Sequence, residues 1–214
     1  MRIAVLGTGP AGRTVAGGLA GLGHDVTLGT RDPAATRARA DWSDVPGAAL
    51  ASFAEAATDV DLVVNASSGT ASLAVLDLVG ADLLEGAVLL DLANPLDFSA
   101  GFPPTLSVKD TDSLAEQIQR AHPGTRVVKT LNTMNAALMV DPRSLADGDH
   151  TVFVAGDDAE AKVVVTALLT ELGHTDVLDL GDLTAARGLE MVLPLWVRLM
   201  GTLGGAHFQL KVVR

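Results

Sequence analysis

The chain contains neither cysteine nor tyrosine among its 214 residues, and only 3% of it is aromatic. Lack of cysteine excludes disulfides, thiolate metal sites and thiol nucleophiles, and suits a reducing cytoplasm. Lack of tyrosine removes the phenol as a proton donor. Basic residues are also scarce: 15 Lys and Arg face 26 Asp and Glu, for a net charge of -11. Such a surface does not neutralise phosphates non-specifically, so no nucleic-acid partner is expected, although a local basic pocket remains open. Long hydrophobic runs are missing too. The N-terminal "MRIAVLG" reaches a glycine turn before it attains the length of a signal-peptide core. The apolar stretch "GLEMVLPLWVRLMGTLGG" is interrupted by Glu190, Pro194 and Arg198, so a buried or partner-facing helix is expected and no membrane contact.

What the chain does have is apolar residues, 48% of the total, enough for one sizeable core. Short β-branched or leucine-rich runs alternate with alanine-rich helical stretches, as in "RIAVLG", "AGRTVAGGLAGLG" and "DVTLGT". That alternation predicts an α/β protein with a Rossmann-like, doubly wound, mainly parallel sheet and a small C-terminal α/β extension. Further strands are expected near 48, 61–66, 87–93, 126–131, 151–156 and 176–181, with helices near 70–84, 112–121, 132–140 and 157–173. Residues 1–130 would form the dinucleotide-binding domain and 131–214 a smaller part that completes the sheet and the second-substrate pocket. Residues 94–107, with three prolines and two phenylalanines, read as an ordered loop over the sheet edge that could act as a lid. The alanine bias in 34–57 reads as helical filler, the long apolar stretch as a helix, and "HFQLKVVR" as a final extended segment.

Gly7, Gly9 and Gly12 in "GTGPAG" fit G-x-G-x-x-G between a strand and a helix. In such a turn Gly7 permits the bend, Gly9 lets backbone approach a pyrophosphate, Gly12 lets helix close on strand, and Pro10 opens the helix. Thr8 and Ala11 belong to the same turn. About 20 residues on, where an acidic side chain would grip the ribose hydroxyl of NAD, the chain offers Thr30 and Arg31. A guanidinium and a hydroxyl suit the 2′-phosphate of NADP(H). Asp32 either turns inward to favour NAD or, followed by Pro33, starts a turn or caps a helix.

Ligands of an open parallel sheet lie beyond the carboxyl ends of its strands. The residues there are "NASSG", with Ala66 and Ser67, "ANPLD", with Asn94 and Pro95, and "LNTMN", with Asn132. They can orient a nicotinamide and a flat partner, but they form no acid–base set; Asn94-Pro95 could equally be a plain turn. His24, His122, His150 and His174 each precede a predicted strand, which would put them on the opposite edge; only His207 escapes that exclusion. Carbonyl reduction, which needs a proton donor, is therefore disfavoured. A carrier that accepts hydride on a conjugated ring needs mainly stacking and orientation.

Together, "MRIAVLGTGPAG", "GHDVTLGTRD", "VVKTLNTMNAALMVDP", "FVAGDDAEAKVVV", "LDLGDL" and "LPLWVRLMG" resemble, in order, the family of NADPH-dependent coenzyme F420 reductases. The resemblance implies an NADP-dependent oxidoreductase that passes hydride directly between NADP(H) and the deazaflavin coenzyme F420, with no certain catalytic residue and no metal. It implies a deazaflavin pocket with Asn132, Met134, Trp196 and the turn Gly204-Gly205-Ala206-His207. Trp196 and Met200 could instead be core packing, His207 incidental surface, and Arg187, Arg198 and Lys211 solvated cations rather than a tail site. Asn132-Thr133-Met134-Asn135 departs from the His-Thr-x-Pro of many archaeal members, which leaves a flavin, quinone or imine acceptor open. A non-catalytic NADP-sensing domain is a further alternative. The residues after 181 are too few for the large helical domain of pyrroline carboxylate reductases, and the apolar 189–203 stretch would instead make a homodimer.

Overall fold

The computed structural model describes residues 1–214. Strand β1 (Arg2–Leu6) leads through the glycine turn into α1 (Pro10–Gly21), then β2 (Asp25–Thr30), α2 (Pro33–Arg37) and β3 (Ala48–Ser52). A short α3 (Phe53–Ala56) precedes β4 (Leu62–Asn65), α4 (Ser72–Val79), α5 (Ala81–Leu84) and β5 (Val88–Asp91). The two-residue strands β6 (Leu96–Asp97) and β7 (Thr105–Leu106) pair as a hairpin before α6 (Leu114–Ala121) and β8 (Arg126–Thr130). The chain closes with α7 (Ala136–Val140), β9 (Thr151–Ala155), α8 (Ala159–Glu171), β10 (Asp176–Asp179), α9 (Ala186–Met191) and α10 (Leu193–Leu203).

Eight strands form one sheet in the order β10-β9-β8-β5-β4-β1-β2-β3, parallel throughout except where β9 meets β8. The sheet is covered on both sides, which is why its central strands are almost unbroken apolar runs. Successive residues of β1 feed opposite faces: Ile3 and Val5 pack with Val15, Leu19 and Val165, whereas Ala4 and Leu6 pack with Phe53, Leu76 and Ile118. Strand order reverses between β1 and β4, and that divide opens a crevice at the carboxyl ends of the strands.

The expected strands form where the apolar runs predict them, while several helices are shorter. Gly80, with φ 99°, separates α4 from α5. The Asn135 side chain caps α7, so that helix starts later than 132. Pro194 occupies the first turn of α10, so the long apolar stretch forms two helices rather than one. The alanine-rich 34–57 is not helical filler: Ala48–Ser52 pair with β2, leaving only α2 and α3, because edge pairing outweighs a small propensity. The C-terminal segment forms no strand; it meets the start of β9, where the Thr151 N–H donates to the Leu210 carbonyl at 3.0 Å and the Thr151 hydroxyl accepts from the Val212 N–H. No helix is long and apolar enough to cross a membrane.

The antiparallel turn corrects one expectation about the histidines. His24 and His122 lie at the strand starts away from the crevice, but β9 and β10 run the other way, so His150 and His174 lie at the end where β8 finishes. Both are buried, with rings 6.2 Å apart in an edge arrangement. Each places Nε2 within hydrogen-bond distance of a carbonyl, Pro142 for His150 and Met139 for His174, and leaves Nδ1 buried without a partner. A second ring proton would find no acceptor. Burial pushes the His174 pKa down to about 4 from 6.5, with His150 adding to the effect and the Met139 carbonyl opposing it. The unfolded chain therefore binds the extra proton first, so stability is intact above about 6.5 and falls as pH drops toward 4, by on the order of 3 kcal/mol. His174→Gln, which keeps a donor for Met139 without titrating, should flatten thermal midpoints over that window.

Candidate functional site

Gly7 adopts φ 124°, and a Cβ there would lie 2.6 Å from the Ala66 carbonyl oxygen, so the turn between β1 and α1 closes directly on the end of β4. Gly9 precedes α1, and no side chain caps the helix. Nothing lies within 4 Å of where a Gly9 Cβ would be, leaving open space in front of the first-turn N–H groups. An exposed helix N-terminus with bare backbone in front of it fits a dinucleotide pyrophosphate. Gly12 packs its Cα against Gly7, and Pro10 fills the first turn.

At the end of β2, Thr30 is buried and its hydroxyl pairs with that of Thr36 at 2.8 Å, while Arg31 is exposed. Asp32 accepts from the N–H groups of Ala34 and Ala35 and caps α2, so it is engaged away from any ribose. The basic cluster has a further member that sequence reading missed. Arg39 donates from Nη1 to the Thr8 hydroxyl in the glycine turn at 3.1 Å and forks onto Asp41 at 3.0 and 2.7 Å. The Asp41 pair raises the pKa of Arg39 and lowers that of Asp41, mainly through hydrogen bonding. Arg13 donates to the Asp41 carbonyl and lies 6.0 Å from the centre of the Trp42 ring, which fixes the segment against α1. The "TRARAD" stretch carries this signal, but the reach of Arg39 to Thr8 is visible only in three dimensions.

Beside the turn, at the ends of β4, β5 and β8, lies a cavity of about 280 Å³, at the small end of ligand sites. It brings together six expected residues, Ala11, Ala66, Ser67, Asn94, Asn132 and Met134. Phe98 at its rim is 58% exposed at the tip of the β6–β7 hairpin. No lining residue is titratable. Asn94 and Asn132 hold each other: Asn94 Nδ2 donates to the Asn132 carbonyl at 2.8 Å and Asn132 Nδ2 donates to Asn94 Oδ1 at 2.9 Å. Pro95, buried, follows this pair and anchors the hairpin, its carbonyl accepting from the Ser107 N–H. A larger open groove of about 520 Å³ lies on the outer face of α8, remote from these loops.

The C-terminal residues do not enter this cavity. Trp196 stacks on Phe208 with centroids 5.1 Å apart and buries an unpaired indole nitrogen. Gly204 ends α10 in the left-handed region and Gly205 is exposed. The Ala206 carbonyl accepts from Asn135, and exposed His207 approaches the Ser144 carbonyl at 3.3 Å. These groups form a neighbouring shelf tied to the Asn132-to-Asn135 loop through Asn135. Arg187 forks onto Glu116, and Lys211 pairs with Asp149 and Asp176, so neither is a free cation; Arg198 is exposed.

Below the cavity floor lies a buried polar chain that sequence reading did not anticipate. Lys129, wholly buried, donates to Asp91 Oδ2 at 2.8 Å and to the Ala93 carbonyl, and contacts Glu190 Oε1 at 2.9 Å. Asp91 also accepts from Asn65, which in turn accepts from Ser67. Glu190 receives the N–H groups of Leu114 and Ala115 at the start of α6. Burial opposes charge on Lys129, but the carboxylates of Asp91 and Glu190 hold its pKa above the ordinary lysine value; burial raises that of Glu190 despite Lys129.

A mainly parallel sheet with its glycine turn after the first strand, and arginines rather than a free carboxylate following β2, marks the chain as an NADP-dependent oxidoreductase. Residues 2–95 match the family described as NADP oxidoreductase, coenzyme F420-dependent. The chain is 31% identical over 212 residues to the F420-dependent NADP reductase of Methanothermobacter marburgensis, covering 93% of this chain and 92% of that protein. It is 32% identical over 203 residues to metalloreductase STEAP3 of Rattus norvegicus, covering 91% of this chain but only 38% of that protein. A crystal structure of a candidate F420-dependent NADP-reductase from Arthrobacter sp. FB24 is 59% identical, covers 100% of both chains and superposes with a TM-score of 0.97. The chain belongs to the F420-dependent NADP reductase family.

Proposed function

We propose that this protein transfers hydride directly between NADPH and coenzyme F420. The observation that carries this reading is the cavity at the strand ends: it adjoins the phosphate turn, yet amides, hydroxyls and apolar groups line it and no titratable side chain does. NADPH supplies a hydride, and a deazaflavin ring takes it up with its charge delocalised, so a protein proton donor is not required. The glycine turn and the α1 N-terminus hold the pyrophosphate, Arg31, Thr30 and Arg39 receive the 2′-phosphate, and the Asn94–Asn132 pair orients the nicotinamide carboxamide. Ala66, Ser67 and Met134 complete the walls. The shelf of Trp196 and Gly204-Gly205-Ala206-His207 extends the surface for the second substrate, so residues 1–130 serve the nucleotide while 131–214 serve the acceptor and lend Asn132 to the nicotinamide.

Under anaerobic conditions, oxidised F420 should bleach rapidly with NADPH and little with NADH. Bleaching that is equally fast with both nucleotides, or absent with NADPH, contradicts the reading. A second reading keeps NADPH but substitutes an acceptor other than F420; the likeness to a protein named as a metalloreductase favours it, and the same assay with a flavin or a ferric chelate as acceptor decides. The exposed Met191, Leu195 and Leu203 on α9 and α10 support a homodimer that sedimentation would test.

A further inference from the structure

Lys129 is among the largest wholly buried side chains, and the reaction does not consume its charge. Buried ion clusters give little net stability compared with apolar side chains of equal size, so the position of this one is more informative than its energy. Two successive residues of the cavity wall are tied to two successive residues of α9. Ala93 is linked through Lys129 to Glu190, and Asn94 is linked through Asn132, whose Nδ2 also donates to the Leu189 carbonyl at 2.9 Å. The wall is also pressed from the opposite side: a Cβ on Gly69 would lie 2.0 Å from the Asn94 carbonyl oxygen. Lys129 donates hydrogen bonds to Asp91 and the Ala93 carbonyl while its ammonium is held in ion contact with Glu190, which restrains the direction of the Ala93 carbonyl.

We propose that Lys129 and Glu190 are positioning residues for hydride transfer: their buried contact locks the Ala93-Asn94-Pro95 wall to α9 and so holds the nicotinamide ring in a transferring orientation. This rests on the reading of the cavity as the nicotinamide site. Methionine at 129 would fill the same space but leave the Ala93 carbonyl unpaired; glutamine at 190 keeps the size but loses the charge, and its amide nitrogen cannot accept the backbone N–H that one Glu190 oxygen now takes from Leu114 or Ala115.

The test uses Lys129→Met and Glu190→Gln, with NADPH affinity from fluorescence titration, emission yield of the bound nicotinamide, and single-turnover hydride transfer to F420 with both substrates saturating. A positioning role predicts NADPH affinity within about threefold of wild type and a transfer rate lowered roughly 10–100-fold. An unchanged rate in a folded variant overturns the proposal, as does a rate that falls only in step with affinity; either would leave the cluster a scaffold. Should Lys129→Met fail to fold, Glu190→Gln decides by the same criteria. Should wild type not turn over F420, the acceptor assignment fails separately, and the emission decides: altered yield at unchanged affinity supports positioning, unaltered yield overturns it.

Discussion

Replacing Gly12 with alanine should abolish measurable NADPH binding and destabilise the fold by about 3 kcal/mol, the upper range for an overpacked site. The new Cβ would lie 2.0 Å from the Gly7 carbonyl oxygen and 2.9 Å from its carbon, and both are backbone atoms that no rotamer change can move. Either α1 retreats from β1 or the turn at Gly7 opens, and each displaces the helix N-terminus from the place where it would meet the pyrophosphate. Gly9→Ala is the matched comparison. Its Cβ meets nothing within 4 Å, so the melting temperature should stay at the wild-type value while NADPH affinity falls, because the methyl group enters the space left for the nucleotide. Thermal unfolding and fluorescence titration of the two variants separate strain from occlusion. Wild-type affinity in Gly9→Ala would mean that the nucleotide does not approach this turn.

How much of this was legible in the sequence follows from the range of each interaction. The glycine turn, the central strands and the cavity residues Ala66, Ser67, Asn94 and Asn132 could be read locally, because an unbroken apolar run followed by a polar turn marks the carboxyl end of a buried parallel strand. Strand direction is not local: "TVFVAG" reads the same either way, and only its pairing of Thr130 with Val154 turns β9 over and brings His150 and His174 to the crevice end. Lys129 looks like any polar residue in a strand, since Asp91 lies 38 residues earlier and Glu190 on a helix beyond the next two strands. The alanines around Arg39 suggest a helix where the chain makes a loop, and so hide its approach to Thr8. Only the family resemblance points to Trp196 and His207, and the fold places them on a shelf outside the cavity, where their contacts are Phe208 and Ser144.

Arg31→Ala should weaken NADPH binding by about 1.5–3 kcal/mol and leave NADH binding nearly unchanged, the scale of one charged hydrogen bond to the 2′-phosphate. Arg39 should matter less singly, because its guanidinium must leave the Asp41 carboxylate to meet the phosphate. In the double variant Arg31→Ala, Arg39→Ala neither guanidinium remains, and a combined loss of about 4 kcal/mol would lower NADPH affinity roughly 1,000-fold. The Asp41 contact supplies an opposite test. Asp41→Asn removes an anion that competes for Arg39 and repels the incoming phosphate, so NADPH affinity should rise severalfold with no change for NADH. These groups are exposed, and salt screens them, so titrations belong at one low ionic strength. A double variant that keeps the wild-type ratio of NADPH to NADH affinity would show that the arginines are surface charge and that nucleotide preference arises elsewhere. A gain in Asp41→Asn alongside the loss in the double variant would locate the 2′-phosphate between β2 and the turn at Thr8, because a general change in surface charge would alter both nucleotides alike.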